Sequence, residues 1–212
     1  MILHDYFRSS AAYRVRIALN LKGLQADRRY VHLRRGEQRA APYLAVNPQG
    51  LLPALEVGGG RTLTQSLAIV EYLEEKHPNP PLLPPGAEDR AWVRAIALAI
   101  ACDIHPLNNL RVLQYLGREL NVEEARRDDW YRHWIRVGFE AIESQLMQRA
   151  ADRFCFGEAP TLADVCLVPQ VANSQRLKMP LAPYPRIGAI NDACLALPAF
   201  AAARPEVQPD AE

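Results

Sequence analysis

Two adjacent serines, Ser9 and Ser10, lie near the beginning of the sequence, with Arg8 directly before them and Arg14 four positions after them. They follow a short β-like run and open a stretch with helical periodicity. The start of a helix carries unpaired N–H groups and about half a unit of positive charge, and a serine there can cap the helix or direct its hydroxyl outward. One serine would indicate a cap, but a serine pair beside arginines also favours an anion-binding site.

The reactive anion is not expected to come from the protein itself. Ala11 and Ala12 follow the serines, so no cysteine stands at this turn. A free thiol with a pKa of about 8.5 is only about 3% ionised at pH 7, and lowering that pKa by about two units, roughly 2.7 kcal/mol, makes the thiolate dominant. A serine hydroxyl at a helix start can supply such a shift, so we expect the turn to ionise a thiol that another molecule brings.

The cysteines give no sign of a metal or redox site. None of them forms a C-x-x-C pair or has Cys/His spacing typical of a metal site. We expect reduced, structural thiols and no bound metal. The four are Cys102, Cys155, Cys166 and Cys194.

Composition points to a small-molecule partner. The chain has 212 residues, of which 49% are hydrophobic, enough for the cores of one large or two modest domains. The 25 Lys and Arg against 24 Asp and Glu leave a net charge of +1, so no overall field attracts nucleic acid or an anionic membrane. No apolar run approaches the roughly 20 residues of a membrane span, and the start resembles no signal peptide. We therefore expect a cytoplasmic protein.

The first eighty residues alternate β-like and helical segments. The order is β-α-β, a less regular stretch, and then β-β-α, which indicates an α/β domain. The hairpin is marked by a triple glycine, and the first helix ends before a glycine that suits a C′ position. The predicted elements are a strand at 2–7, a helix at 10–21, strands at 29–33, 52–57 and 61–64, and a helix from Ser66.

The second part of the chain is predicted to be helical. The segment 77–86, HPNPPLLPPG, contains five prolines, which stop a helix and indicate a linker. Beyond it strand signals nearly vanish, and Trp130, Trp134 and Val137 mark one stripe of a long helix. The Ala/Pro-rich tail after Pro198 is expected to be loosely packed. The predicted division is an α/β domain at 1–80, a linker at 81–87 and an all-helical domain at 88–212.

Four separated blocks resemble the zeta class of glutathione transferases. They are S-S-A-A-Y-R-V-R-I-A-L, N-P-Q-G-L-L-P-A-L, Q-S-L-A-I-V-E-Y-L-E-E and T-L-A-D-V-C-L-V-P-Q-V, and the ending P-Y-P…Q-P-D is similar too. The resemblance covers nearly the whole chain. It implies the glutathione transferase fold, which is a thioredoxin-like N-terminal domain that carries glutathione and an all-α C-terminal domain that covers the other substrate. It also implies a homodimer and glutathione as the cofactor.

The resemblance assigns the catalytic role to the serine pair. Ser9 matches the family's partner of the glutathione sulfur, although the residues alone leave open whether Ser9 or Ser10 points at it. Where the family commonly has a cysteine after the pair, this chain has Ala11. Isomerase activity is therefore still expected, whereas thiol-transferase chemistry that depends on that cysteine is not.

Further positions resemble the family's glutathione contacts. Pro53 matches a cis-proline that holds Leu52 for strand-like pairing with the tripeptide, although from the residues alone a trans proline is expected. Gln65 and Ser66 match the pair that binds the γ-glutamyl carboxylate, and the alternative is that Ser66 simply caps a helix. Gln38 matches a contact to the glycyl end.

Two arginines are candidates for the substrate. A diacid requires cationic groups, and the planar guanidinium binds a carboxylate through two hydrogen bonds. Arg8 and Arg176 stand in matched blocks and are assigned this role. His105 and Asn109, four residues apart and hence on one face of a helix, are candidate contacts to glutathione or substrate, with a structural role as the alternative. Relatives acting on maleylpyruvate tend to have an additional arginine where this chain has Leu110, which favours maleylacetoacetate.

Other polar residues are predicted to serve the fold. Arg14 and Arg16 lie about 200° apart on a helix, so both cannot face one site, and we interpret them as structural. The residues Thr161 and Asp164 have the spacing of a capping box and are assigned to folding.

The activity implied by the resemblance is cis–trans isomerisation. A thiolate adds to the conjugated double bond of maleylacetoacetate, rotation follows about the resulting single bond, and elimination gives fumarylacetoacetate, a step of aromatic amino acid breakdown. Three alternatives remain at this point: isomerisation of maleylpyruvate, glutathione conjugation or dehalogenation of small α-haloacids, and a non-catalytic scaffold of the same fold. The scaffold predicts loss of the serine and Gln-Ser positions, which are present.

Overall fold

The structure, a computed structural model, describes residues 1–149 and 152–212, and these form two compact units. The first unit comprises Met1–Leu82 and Leu195–Glu212, and the second comprises Leu83–Cys194. The helices of the described residues are α1 (Ser10–Leu21), α2 (Ala41–Leu44), α3 (Ser66–Lys76), α4 (Ala87–Leu98), α5 (Leu110–Arg118), α6 (Glu124–Met147), α7 (Leu162–Arg176), α8 (Pro185–Leu195) and α9 (Pro198–Ala201).

A four-stranded mixed sheet forms the centre of the first unit. The strand order is β2-β1-β3-β4, with β1 parallel to β2 and antiparallel to β3. The glycine triplet, whose φ angles are all positive, turns the chain between β3 and β4, as predicted. The strands are β1 (Ile2–Asp5), β2 (Asp27–Tyr30), β3 (Ala54–Gly58) and β4 (Arg61–Thr64).

Apolar side chains from the sheet and from two helices form the core of this unit. Leu3 of β1 and Leu55 of β3 are opposite one another and fully buried. Val15 of α1 and Ile69 of α3 are also fully buried, and α1 packs against α3. Burial of these side chains fixes the direction of both helices, and both helices begin where the candidate site residues lie.

The last segment of the sequence packs on the first unit. Phe200 of α9 is fully buried, α9 contacts α1, and the Arg16 Nε donates a 3.0 Å hydrogen bond to the carbonyl of Ala203. Leu195–Glu212 is therefore part of the first unit, whereas the predicted division had placed it in the helical domain 88–212. The expectation of a loosely packed tail was also wrong. The reason is an aromatic anchor and a buried arginine, which the Ala/Pro-rich composition concealed.

The second unit is helical throughout its described residues. The helix that begins as α4 widens into a π-helical segment, Ala99–Ile104, and a 3₁₀ turn at Pro106–Asn108 then precedes α5. Thr161 and Asp164 form the predicted capping box at the start of α7. Among the described residues no helix is long and apolar enough to cross a membrane.

The buried stripe of α6 differs from the predicted one. Val137 is 43% exposed, and the indole N–H of Trp130 is directed to the carbonyl of Leu107, 2.8 Å away. The prediction followed the tryptophans, but the residues directly after them, Tyr131 and Ile135, are the ones buried in the core. The buried apolar residues are Tyr131, Ile135, Phe139, Ile142 and Leu146.

Candidate active site

Ser9 is the N-cap of α1, and Ser10 is the first residue of that helix. The Ser9 Oγ accepts a hydrogen bond from the N–H of Ala12 at 3.2 Å, and both serine residues are at most 9% exposed. Capping uses only one acceptor position of the hydroxyl, so its proton remains available for donation. The cap and the anion-binding interpretation are therefore compatible at Ser9.

The turn that leads into the serines is closed by the backbone. The Ser9 N–H donates to the carbonyl of Tyr6 at 2.9 Å, which places Phe7 and Arg8 at the two central positions. The fully buried Arg16 forms an ion pair with Asp5, 2.7 Å between Nη1 and Oδ1, and its Nη2 donates to the carbonyl of Phe7 at 3.0 Å. Arg16 is thus a structural residue that holds this turn.

A second polar site lies at the start of α3. Gln65 has a φ of +68°, in the region that residues other than glycine rarely adopt, and conformations of this kind are enriched at functional sites. Its side-chain Nε2 donates to the Oε1 of Gln49 at 3.1 Å. Gln65 is the N-cap without a side-chain cap bond, so the alternative that Ser66 simply caps the helix was wrong.

Arg14 connects the two helix starts. Its guanidinium is buried, and its Nη1 donates to the Ser66 Oγ at 3.1 Å. Arg14 and Arg16 were both interpreted as structural because they cannot face one site together, and their contacts do differ: Arg16 holds the Tyr6–Ser9 turn, whereas Arg14 contacts Ser66. Arg14 therefore fixes the Ser66 hydroxyl and brings a positive charge to the Gln65–Ser66 pair.

The loop before β3 leaves two backbone groups without a partner among the described residues. The Leu52–Pro53 peptide bond is cis, as the resemblance implied and contrary to the expectation from the residues alone. The N–H and carbonyl of Leu52 make no hydrogen bond to any described residue. Burial raises the pKa of Tyr43 to about 12, so its hydroxyl stays protonated and donates to the carbonyl of Leu51 at 2.6 Å. The loop is therefore held while Leu52 can still pair with a peptide.

The remaining predicted contact of the first unit is buried. Gln38 is 7% exposed, and its Oε1 accepts no hydrogen bond from the described residues. An orphaned acceptor of this kind is satisfied by a peptide N–H or a water. Together with the backbone of Leu52 and the start of α3, it forms a donor and acceptor set that fits a small acidic peptide.

Arg176 lies in the second unit, at the last position of α7. Its Nη2 and the hydroxyl oxygen of Tyr131 are 3.1 Å apart, and the guanidinium also lies over the Tyr131 ring, 5.7 Å from its centre. Arg176 is exposed and forms no ion pair with a carboxylate in the part of the chain that the structure describes. The guanidinium is therefore oriented by the protein and open to an anion.

His105 and Asn109 do not share a helix face. His105 follows the π-helical segment, whereas Asn109 caps α5 with its side-chain oxygen, which accepts from the N–H of Arg111 at 3.2 Å. The four-residue spacing argument was wrong because Pro106 ends the helix between them. The 3₁₀ turn is docked on α6 by Asn108, whose Nδ2 donates to the carbonyl of Tyr131 at 3.3 Å.

Sequence reasoning missed three residues of these clusters. Gln49 stands in N-P-Q-G, one of the blocks used for the resemblance, so a signal was present. Arg14 lies in the serine block itself. Tyr131 carries no local signal, since it is one of several aromatic residues in a long amphipathic helix. No group of His, Cys, Asp and Glu suited to a metal occurs among the described residues.

Comparison with known proteins identifies close relatives along the full chain. Residues 8–76 match the family model of the glutathione S-transferase N-terminal domain. A probable maleylacetoacetate isomerase of Vibrio cholerae is 51% identical, and the match covers 100% of this chain and 98% of the relative.

Two solved structures share the fold over their whole length. The holo structure of a maleylpyruvate isomerase, a bacterial zeta-class glutathione S-transferase, has a TM-score of 0.97 and 46% identity, with 100% of both chains covered. A maleylacetoacetate isomerase from Methylobacterium extorquens AM1, with bound malonate and GSH, also has a TM-score of 0.97, at 40% identity and with 100% of both chains covered.

Proposed function

The chain belongs to the zeta class of glutathione transferases, and from this premise we propose that it isomerises maleylacetoacetate to fumarylacetoacetate with glutathione as cofactor. It is a glutathione-dependent cis–trans isomerase. When bound, glutathione supplies the thiolate that adds to the double bond and leaves after rotation. The task of the protein is to ionise this thiol, to hold the tripeptide and to orient the diacid.

One observation carries the proposal: the Ser9 hydroxyl caps α1 and still has its proton to donate. A hydroxyl donor and the positive end of a helix both favour a thiolate over a thiol at this position. Ser10 begins the same helix, and we assign it the neighbouring catalytic position. Since Ala11 follows, the protein offers no competing thiol there.

We assign the tripeptide to the other polar groups of the first unit. Gln65 and Ser66 are proposed to bind the γ-glutamyl carboxylate, which is supported by the buried positive charge that Arg14 brings to Ser66. Leu52, held before Pro53, is proposed to pair through its backbone with the cysteinyl residue. Gln38 is proposed to satisfy its orphaned oxygen at the glycyl end.

We assign the carboxylates of the substrate to Arg8 and Arg176. Arg8 lies in the turn directly before Ser9, and Arg176 is oriented by Tyr131. His105 and Asn109 remain proposed contacts to glutathione or substrate. The side-chain oxygen of Asn109 is used by its cap, so its amide N–H groups are the available donors.

Maleylpyruvate is the second candidate substrate, since a maleylpyruvate isomerase shares the fold at a TM-score of 0.97. The test is a side-by-side measurement of kcat/KM for maleylacetoacetate and maleylpyruvate, with and without glutathione. We expect glutathione-dependent turnover that is faster with maleylacetoacetate. Faster turnover of maleylpyruvate would make maleylpyruvate the preferred substrate in place of maleylacetoacetate. Consumption of glutathione in proportion to product would instead indicate conjugation or dehalogenation.

We also propose that the protein acts as a cytoplasmic homodimer. The membership of the class supports this assignment. Light scattering coupled to size-exclusion chromatography should give twice the 23.8 kDa mass of the chain, and a monomer at micromolar concentration would contradict the dimer.

A further inference from the structure

The turn before the serines is fixed from outside by a residue of the last segment. The backbone N–H of Phe7 donates to the Oδ2 of Asp210 at 2.9 Å, although the two residues are 203 positions apart. On the other side of the same residue, the carbonyl of Phe7 accepts from Arg16. Both backbone groups of one central turn residue are therefore held, and the turn ends at Ser9.

Asp210 has no other hydrogen-bond partner among the described residues. Its second oxygen, Oδ1, is buried and accepts no hydrogen bond from them. A buried acceptor without a hydrogen bond is unfavourable, so burial of this carboxylate costs free energy. The one hydrogen bond that the carboxylate accepts from the described residues is the bond from Phe7. Its contact with the Phe7 N–H is the feature that needs an explanation.

The segment that carries Asp210 is itself anchored on both sides. Before it, the Gln208 Nε2 donates to the carbonyls of Ala202 and Arg204 at 2.9 and 2.8 Å. After it, the Glu212 Oε1 lies 2.6 Å from the His32 Nε2. These anchors on either side restrict the motion of the Asp210 carboxylate, as a rigid support requires.

We propose that Asp210 is a positioning residue for the reaction: it holds the Tyr6–Ser9 turn so that the Ser9 hydroxyl is directed at the thiol of glutathione. The inference rests on the proposed function of Ser9. Without an acceptor the buried N–H of Phe7 would need another partner, and the turn would have to rotate to find one. Ser9 would move with it, because the Ser9 N–H closes the turn.

A simple effect of charge would act in the opposite direction. A carboxylate near the thiol opposes formation of the thiolate, so its removal alone would lower the thiol pKa. The charged groups around this turn in the first unit are Arg8 in the turn, Asp5, Arg16 and Arg28 beside it, and Arg34, Asp210 and Glu212, with His32 bound to Glu212. Positioning and charge can therefore be separated by the sign of the pKa change.

The experiment compares three variants of Asp210 in the full chain. D210A removes the acceptor and the charge, D210E keeps the charge but displaces the acceptor, and D210N removes the charge but keeps an acceptor oxygen. E206Q is the matched control, because it removes a carboxylate from the same segment, one that pairs with Arg204, and leaves the acceptor of Phe7 and both anchors in place. One readout is amide hydrogen exchange at Phe7 without glutathione, and the other is the ultraviolet titration of the bound thiol.

We expect D210A and D210E to speed exchange at Phe7 about tenfold or more and to raise the bound thiol pKa by about one unit. D210N and E206Q should leave exchange slow and the pKa unchanged or lower. If D210A does not fold, the opposite responses of D210E and D210N decide the matter. Equal lowering of the pKa in D210A and D210N, or slow exchange in folded D210A, would overturn the proposal.

Failure of this inference differs from failure of the proposed function. If wild-type protein binds glutathione but shows no isomerase activity, the proposed function fails while the exchange and titration comparison still stands. If S9A does not change the bound thiol pKa, the role of Ser9 is wrong, and Asp210 loses its proposed purpose as well. If S9A raises the pKa and the Asp210 variants do not, only the positioning role of Asp210 is refuted.

Discussion

At the residue level, Ser9 combines a structural and a chemical task in one hydroxyl. The oxygen accepts from the Ala12 N–H, and the proton stays free for an anion. Replacing Ser9 must therefore affect both the stability of α1 and the ionisation of the bound thiol. These two effects have separate measurements.

Ser9→Ala should raise the pKa of the bound glutathione thiol and lower turnover about 10²-fold or more, the scale of losing one preorganised donor. It should also cost about 1 kcal/mol of unfolding free energy through loss of the cap. Ser9→Thr, which keeps a hydroxyl, should recover most of both. Near-normal turnover of Ser9→Ala would remove this residue from the mechanism, and a larger effect of Ser10→Ala would transfer the role to its neighbour.

Tyr131 orients Arg176, which gives a second prediction for single residues. Tyr131→Phe keeps the ring over which the guanidinium lies but removes the hydroxyl to which it is hydrogen-bonded. Because the arginine then samples more conformations, we expect KM for the diacid to rise about threefold to tenfold, with kcat changed less. Arg176→Lys should raise KM further, since an ammonium cannot bind a carboxylate through two parallel bonds. Unchanged KM in both variants would contradict a role of Arg176 in binding.

At the level of elements, the candidate site of the first unit uses the beginnings of two helices. Helix α1 starts at the serines and α3 starts after Gln65, and Arg14 connects them. Such starts favour anions because their N–H groups have no partners within the helix. The sequence predicted both starts at the correct residue, since turn and cap signals are local.

Other features of the elements could not be predicted from local signals. Asn109 was placed on a helix face with His105, but Pro106 divides that helix and Asn109 caps the next one. The stripe of α6 was assigned to its tryptophans, although the residues that point inward depend on what packs against them. Strand β2 spans Asp27–Tyr30 and not 29–33, because pairing with the four residues of β1 sets its limits.

The capping box of α7 is predicted to carry stability and not catalysis. The fully buried Asp164 accepts from the N–H groups of Thr161 and Cys155 at 2.7 and 2.8 Å. Asp164→Ala leaves these buried donors without a partner, so we expect a loss of about 3 kcal/mol in unfolding free energy. Urea denaturation measures this loss, with Glu158→Ala, which makes none of these contacts, as the control. A folded Asp164→Ala variant that lost affinity for glutathione but not stability would contradict the assignment.

For the whole molecule, the two units hold different parts of the proposed chemistry. The residues assigned to glutathione lie in the first unit except for His105 and Asn109, which lie in the second together with Arg176. The last segment returns to the first unit, which the composition of the tail did not reveal. This placement depends on contacts between residues about 190 positions apart, such as Arg16 with Ala203, and a pattern within one segment cannot predict those.

Thiol reactivity tests the packing of the helical unit. Cys102 is exposed, whereas burial raises the pKa values of the Cys155 and Cys194 thiols, and Cys166 is fully buried. Raised pKa values keep thiols protonated and unreactive, so raising the pH from 7 to 9 should not expose them to alkylation. We expect one rapidly labelled cysteine in the native wild-type protein and none in the native Cys102→Ser variant. The denatured wild-type protein should have four labelled cysteines. Fast native labelling of Cys155 or Cys194 would show that this packing is wrong.

The central claim is that the protein ionises a thiol that it borrows from glutathione. The most direct measurement removes glutathione by dialysis and then restores it in amounts far below the substrate, following the cis–trans conversion of maleylacetoacetate and the total thiol together. The claim predicts no turnover after dialysis, recovery of turnover with the added tripeptide, and constant total thiol over many turnovers. Conversion at an undiminished rate without glutathione would contradict it.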